Sequence, residues 1–140
     1  MKPLRLVAAA AAMAIAGASL AAGDEAKPVD QRVHDITAPE LRKRLRAEWK
    51  DDRPIAIDLR APEEYRGGHL IGARRIGYPA DDFEERIAKL DRGLRYIVYC
   101  ADGIESAKAV ALFRKLEFKE VYYLRGGWKA HLKLIGGKAK

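Results

Sequence analysis

The residues able to do chemistry in this chain converge on one cysteine. Cys100 is its single thiol, and it stands where the β-rich segment from Leu94 to Tyr99 stops. Ala101, Asp102, Gly103, Ile104 and Glu105 follow, and Ser106 then opens a helical pattern, in which it is read as the N-cap. In a short loop between a strand and a helix, backbone N–H groups can turn inward, and glycine accepts the conformations this needs. The start of the helix adds a partial positive charge. Together these make a cradle for an anion. A sulfur in such a cradle is favoured as a thiolate nucleophile, and the same cradle suits a persulfide anion or an anionic substrate. The segment also fits a plainer reading, a core cysteine packed at a strand end, because free cysteine is often buried.

Other side chains are weighed in the same way. Asp58 and Arg60 flank the carboxyl end of another strand, on the same side of the sheet as Cys100. They either shape the site and bind an anion, or form an ion pair that ties neighbouring loops. Arg125 follows a third strand, either facing the site as a cation or lying solvated on the surface. His69 is read as a hydrogen-bonded loop histidine rather than a general base. His34 and His131 share no ligand spacing, so no metal is expected.

The elements that must position Cys100 follow from the hydrophobic pattern. Val33 to Asp35 reads as a short edge strand. Thr37 and Glu40 form a capping box, with Glu40 reaching back, for a helix to about Glu48. In that helix Leu41, Leu45 and Trp49 are the buried stripe, and Arg42, Lys43, Arg44 and Arg46 the solvated face. Ile55 to Leu59 reads as a buried strand, Ala61 to Tyr65 as a short helix ended by Gly67 and Gly68, and Arg74 to Ile76 as a short strand. Asp82 to Leu90 reads as a helix with Phe83, Ile87 and Leu90 inward. Leu94 to Tyr99 is a strand, and Ser106 to Leu116 a helix with Ala109, Leu112, Phe113 and Leu116 on one face. Val121 to Leu124 is the last strand and Trp128 to Leu134 the last helix. Strands alternating with helices call for an α/β domain, its mainly parallel sheet flanked by helices on both faces.

At 140 residues the chain has room for one domain, placed at 33–134 with a tail at 135–140. Before it, Lys2 and Arg5 precede an uncharged, alanine-rich run from Leu6 to Leu20, with small residues at Ser19 and Ala21. This is the pattern of a secretory signal peptide over 1–22, followed by a flexible mature N-terminus over 23–32. The alternative, an uncleaved anchor, is disfavoured because the run is too short to span a bilayer well. The expectation is therefore a periplasmic protein without stable membrane association after cleavage. The formal charge of +7 draws on Lys2 and Arg5, and an exported chain has little access to nucleic acid, so no nucleic-acid partner is expected. One cysteine permits no internal disulfide, which in an oxidising compartment makes the thiol either buried and inert or reactive by purpose.

Four segments in register carry a resemblance to the rhodanese family. They are Asp58-Leu59-Arg60 with Glu64-Tyr65, Gly68-His69-Leu70-Ile71-Gly72-Ala73, Tyr99-Cys100-Ala101-Asp102-Gly103-Ile104-Glu105-Ser106, and Leu124-Arg125-Gly126-Gly127. The resemblance runs from about Val33 to Leu134, and the exported, single-domain form looks like the small periplasmic rhodaneses of bacteria. It implies a small α/β fold and a two-step sulfur transfer through a Cys100 persulfide. A sulfur-containing donor such as thiosulfate would supply the sulfur, and cyanide or a thiol would accept it. It implies no metal or organic cofactor.

The departures from the family pattern are specific. Where the family has a loop arginine this chain has Glu105, and Ala101 stands at a second position that is often arginine. A carboxylate near Cys100 opposes both thiolate formation and an incoming anion, by about 3 kcal/mol at ~6 Å and an effective dielectric constant near 20, less when solvated. Where the family often has a tryptophan this chain has His131, with Trp128 placed to fill the same core space. A cysteine phosphatase would need an arginine at the position of Ser106 to clamp phosphate, so that reading is rejected. Two alternatives to the sulfurtransferase remain: a binding or sensing module on the same fold, and a thiol-redox partner.

Overall fold

The computed structural model describes residues 32–137. The expected signal peptide lies outside the described residues, as do all but the last residue of the expected flexible segment and residues 138–140 of the tail. Among the described residues no helix is long and apolar enough to cross a membrane.

The elements run β1 (Val33–Ile36), α1 (Ala38–Arg46), β2 (Ile55–Asp58), α2 (Pro62–Arg66), β3 (Arg74–Arg75), α3 (Phe83–Ala88), β4 (Arg95–Tyr99), α4 (Ile104–Lys115), β5 (Glu120–Leu124) and α5 (Gly127–Leu134). Five strands form one sheet in the order β1-β5-β4-β2-β3, and every pairing is parallel. β4 lies at the centre, buried over Tyr96 to Tyr99. A strand covered on both faces needs apolar residues on both, which explains the unbroken Tyr-Ile-Val-Tyr run.

Alternation along the strands divides the core in two. Ile57, Leu59, Tyr96, Val98, Cys100 and Val121 face α3 and α4, meeting Phe83, Ile87, Ala109, Val110 and Phe113. Ala56, Ile97, Tyr99, Tyr122 and Leu124 face α1 and α5, meeting Ala38, Leu41, Trp49 and Trp128. Trp128 thus fills core space from the first turn of α5.

Some local expectations change. Thr37 caps α1, its Oγ1 accepting the Glu40 N–H at 3.3 Å, but Glu40 does not reach back. Its carboxylate instead accepts from Arg44 at 2.8 Å, one helical turn on, so half of the capping box forms. The helix also stops at Arg46, and Trp49 reaches the core from the turn beyond, where its N–H donates to the Arg44 carbonyl at 2.7 Å. Arg44 does not belong to a solvated face. Its guanidinium donates to the Tyr122 hydroxyl at 3.3 Å and lies over the Trp49 ring at 5.1 Å.

Candidate active site

The carboxyl end of β4 delivers Cys100 into the turn that becomes α4. The helix starts at Ile104, two residues before the sequence pattern suggested. Gly103 is its N-cap with φ of 92°, and Ser106 sits inside the first turn, fully buried, its hydroxyl donating to the Gly103 carbonyl at 3.2 Å. Ser106 therefore is not the N-cap. A residue with a Cβ cannot take its place at Gly103, because that atom would stand 2.8 Å from the Gly126 nitrogen, at an already unfavourable positive φ.

The loop wraps the sulfur with backbone. The Gly103 N–H donates to Cys100 Sγ at 3.1 Å and the Ser106 N–H at 3.4 Å. The thiol in turn lies 3.6 Å from Ser106 Oγ and 3.8 Å from Asp102 Oδ1. The Ile104 N–H is withdrawn from the sulfur, donating to Asp102 Oδ1 at 3.0 Å. Asp102 thus closes a local turn of the kind aspartate commonly forms at helix starts. The N–H groups of Ala101, Asp102 and Glu105 make no hydrogen bond among the described residues. Of the expected cradle from Ala101 to Ser106, two N–H groups hold the resting sulfur, one is taken by Asp102, and three are available. Cys100 itself is 1% exposed, whereas Asp102, Ile104 and Glu105 above it are exposed.

The last helix braces this loop from behind. The Trp128 N–H donates to the Cys100 carbonyl at 2.8 Å and the Lys129 N–H to the Ala101 carbonyl at 3.0 Å. Such an approach requires glycine at 127: a Cβ there would overlap the Cys100 carbonyl oxygen and stand 2.7 Å from the Ala101 carbonyl carbon. The Gly126-Gly127 pair therefore does more than make a turn.

Asp58 and Arg60 also reach the carboxyl end of the sheet, but Asp58 pairs in register with Tyr99 and so points to the face opposite Cys100. The two form a buried ion pair, Arg60 Nη2 to Asp58 Oδ2 at 2.7 Å, strengthened by the Arg60 N–H and Nε on Oδ1. Burial works against the Arg60 cation, yet the hydrogen bonds and charge of Asp58 outweigh it and raise the guanidinium pKa. Tyr99 donates its hydroxyl to Asp58 at 2.7 Å and accepts the Leu70 N–H at 3.0 Å; burial foremost, then the Asp58 charge, pushes its pKa far up, so it stays a donor. Arg60 also donates to the Gly68 carbonyl at 2.7 Å, fixing the segment between α2 and β3. Its guanidinium lies 4.7 Å above the Trp128 ring. Asp58 and Arg60 are thus linked to the sulfur loop through Trp128 and touch no group of that loop directly.

Arg125 is drawn away from the loop. It pairs with Asp35 at 3.1 Å on the exposed side of the β1–β5 pairing. His69 stacks on Tyr65, with ring centroids 3.8 Å apart, and its Nδ1 is bound to the Tyr65 carbonyl at 2.8 Å. The parts missed from sequence were Tyr99 as a junction and Trp128 as a brace. A buried tyrosine one residue before the cysteine, needing a partner for its hydroxyl, was the available signal.

A parallel five-stranded sheet with a backbone-wrapped cysteine at the tip of its central strand defines a class of α/β domains that present sulfur from a strand end. The chain belongs to the rhodanese family: residues 37–133 match the rhodanese-like domain. It is 36% identical over 84 residues to the uncharacterized protein YqhL of Bacillus subtilis, covering 60% of this chain and 62% of that one, so the chain spans less than two thirds of that relative. It is 34% identical over 93 residues to the thiosulfate sulfurtransferase GlpE of Pseudomonas paraeruginosa, covering 66% of this chain and 78% of that one. Among solved structures, the Alr3790 protein of Anabaena superposes with a TM-score of 0.61 at 31% identity, covering 75% of this chain and 90% of that one.

Proposed function

We propose that this protein is an exported sulfurtransferase that carries sulfane sulfur as a persulfide on Cys100. The observation that carries the reading is the loop itself: two N–H donors already on Sγ, at 3.1 and 3.4 Å, and three more without a partner among the described residues. Donors fixed before the reaction stabilise developing negative charge without reorganising. Cys100 as thiolate attacks the outer sulfur of a donor such as thiosulfate. The donor S–S bond breaks, sulfite leaves with the electron pair, and Cys100–S–S⁻ remains among the N–H groups of Ala101 to Ser106. Cyanide or a thiol then attacks the outer sulfur, and the thiolate is released. No metal or organic cofactor takes part. Asp58 and Arg60 act as positioning residues through Trp128. The leader at 1–22 directs the chain to the periplasm.

Asp102 and Glu105 qualify the choice of donor. Both are acids on the loop, with no basic side chain between Cys100 and Ser106. They favour a donor less anionic than thiosulfate, and they are the observation behind a second reading, a rhodanese-fold binding or sensing module. The test is intact mass spectrometry of the purified protein before and after thiosulfate, then with cyanide. One sulfur atom gained at Cys100 and removed by cyanide is expected. No gain from thiosulfate or from less charged sulfur donors would overturn the sulfurtransferase reading in favour of the binding module.

A further inference from the structure

On the sheet face opposite α4, the packing of α1 and α5 leaves a groove at the surface. It has a volume of about 720 Å³, and at its bottom lie Ala56 of β2 and Ile97 of β4, both buried. Leu41 and Leu45 of α1, Leu134 of α5 and the Leu70-Ile71 segment form apolar walls. Ile71 stands 82% exposed at the edge, an apolar side chain left facing water.

The charges on this groove have one sign. Arg42, Arg46 and Arg53 line it, and no aspartate or glutamate does. None of the three arginines pairs with a carboxylate among the described residues, whereas Arg44, on the same helix, pairs with Glu40. His131 also lines the groove, and its pKa is lowered by burial and then by the nearby Arg42 charge, so it adds an uncharged wall. The groove has the volume of a small-molecule site and apolar walls, which suits a single chain better than a flat protein surface does.

We infer that this groove binds a single-chain amphiphile, its apolar tail against Leu45, Ile71 and Leu134 and its anionic head, such as a carboxylate, among Arg42, Arg46 and Arg53. The site is separate from the sulfur loop, and the inference does not depend on sulfur transfer.

Calorimetric titration of the full chain with dodecanoate, below its micelle concentration, tests it. The comparison probes are acetate, which has the head alone, and dodecyltrimethylammonium, which has the tail with the opposite charge. Saturable binding of dodecanoate at one site per chain is expected, with no binding of acetate and weaker binding of the cationic amphiphile. The Arg46→Glu, Arg53→Glu double variant should weaken dodecanoate by about tenfold or more, because both charges reverse. Both residues are exposed and unpaired, so the fold, followed by circular dichroism, should be unchanged. Ile71→Asp should also weaken it. Equal binding of the two amphiphiles, indifference to the arginine changes, or binding only of an acidic amphipathic peptide would overturn the inference.

Discussion

Two structures share the carboxyl end of the sheet, and they are built in opposite ways. Around Cys100 the hydrogen bonds that the sulfur accepts come from the backbone N–H groups of Gly103 and Ser106, and the side chains of Ile104 and Glu105 turn to solvent. Around Asp58 the contacts come mostly from side chains: the Arg60 guanidinium and the Tyr99 hydroxyl both end on one carboxylate. A backbone cradle leaves side-chain identity free to vary at Ala101 and Glu105, where family arginines are absent. A buried side-chain network has no such freedom, because each partner removed leaves another polar group unpaired. The first region can therefore vary its loop side chains while the second is held to one set of partners.

Four substitutions break or sharpen that contrast. Cys100→Ser should abolish persulfide formation entirely, seen as no sulfur gain by mass spectrometry with an unchanged melting transition; residual transfer would sink the mechanism. Arg60→Ala should act on stability, leaving the Asp58 carboxylate buried without its cation at a cost of about 3–5 kcal/mol, read by urea denaturation. A loss below ~1 kcal/mol would mean that water or Tyr99 replaces the pair. Gly127→Ala lies at the junction of the two regions. It should displace the Cys100 carbonyl and slow sulfur transfer by about a hundredfold, since misplacement by ~1 Å has that order of effect. Unchanged transfer would show that the loop does not need its brace. Glu105→Arg should raise the thiosulfate rate by about tenfold through removal of a like charge, while stability stays within ~0.5 kcal/mol. A stability loss instead would mean that Glu105 serves the helix start rather than donor choice.

What the sequence disclosed depended on whether the cause was local. The α/β class, the element order and the position of Cys100 at a strand end follow from periodicity and composition over short windows; the observed elements agree with them, and the rhodanese-like match agrees with the fold class. The cap of α4 was misplaced because serine has the stronger preference, whereas Gly103 is selected by a positive φ and by Gly126, 23 residues away. Arg125 was open between site and surface until β1 brought Asp35 beside it. Glu40 was assigned to the helix start, but a helical neighbour of opposite charge holds it. The role of Tyr99 needed the register of β2 against β4, which no short window contains.

The pairing of β1 with β5 joins the first strand of the domain to the last, Val33 opposite Val121, and α5 then closes on the sulfur loop. During synthesis the chain emerges from its N-terminus, at about 5–20 residues per second. β1 must therefore wait for nearly the whole domain before it finds its neighbour, and Cys100 is made well before the helix that secures its carbonyl. The thiol thus passes through biosynthesis without its finished surroundings, and a chain that stops short of Gly126 would carry the cysteine but lack the backbone contacts that hold its carbonyl in place.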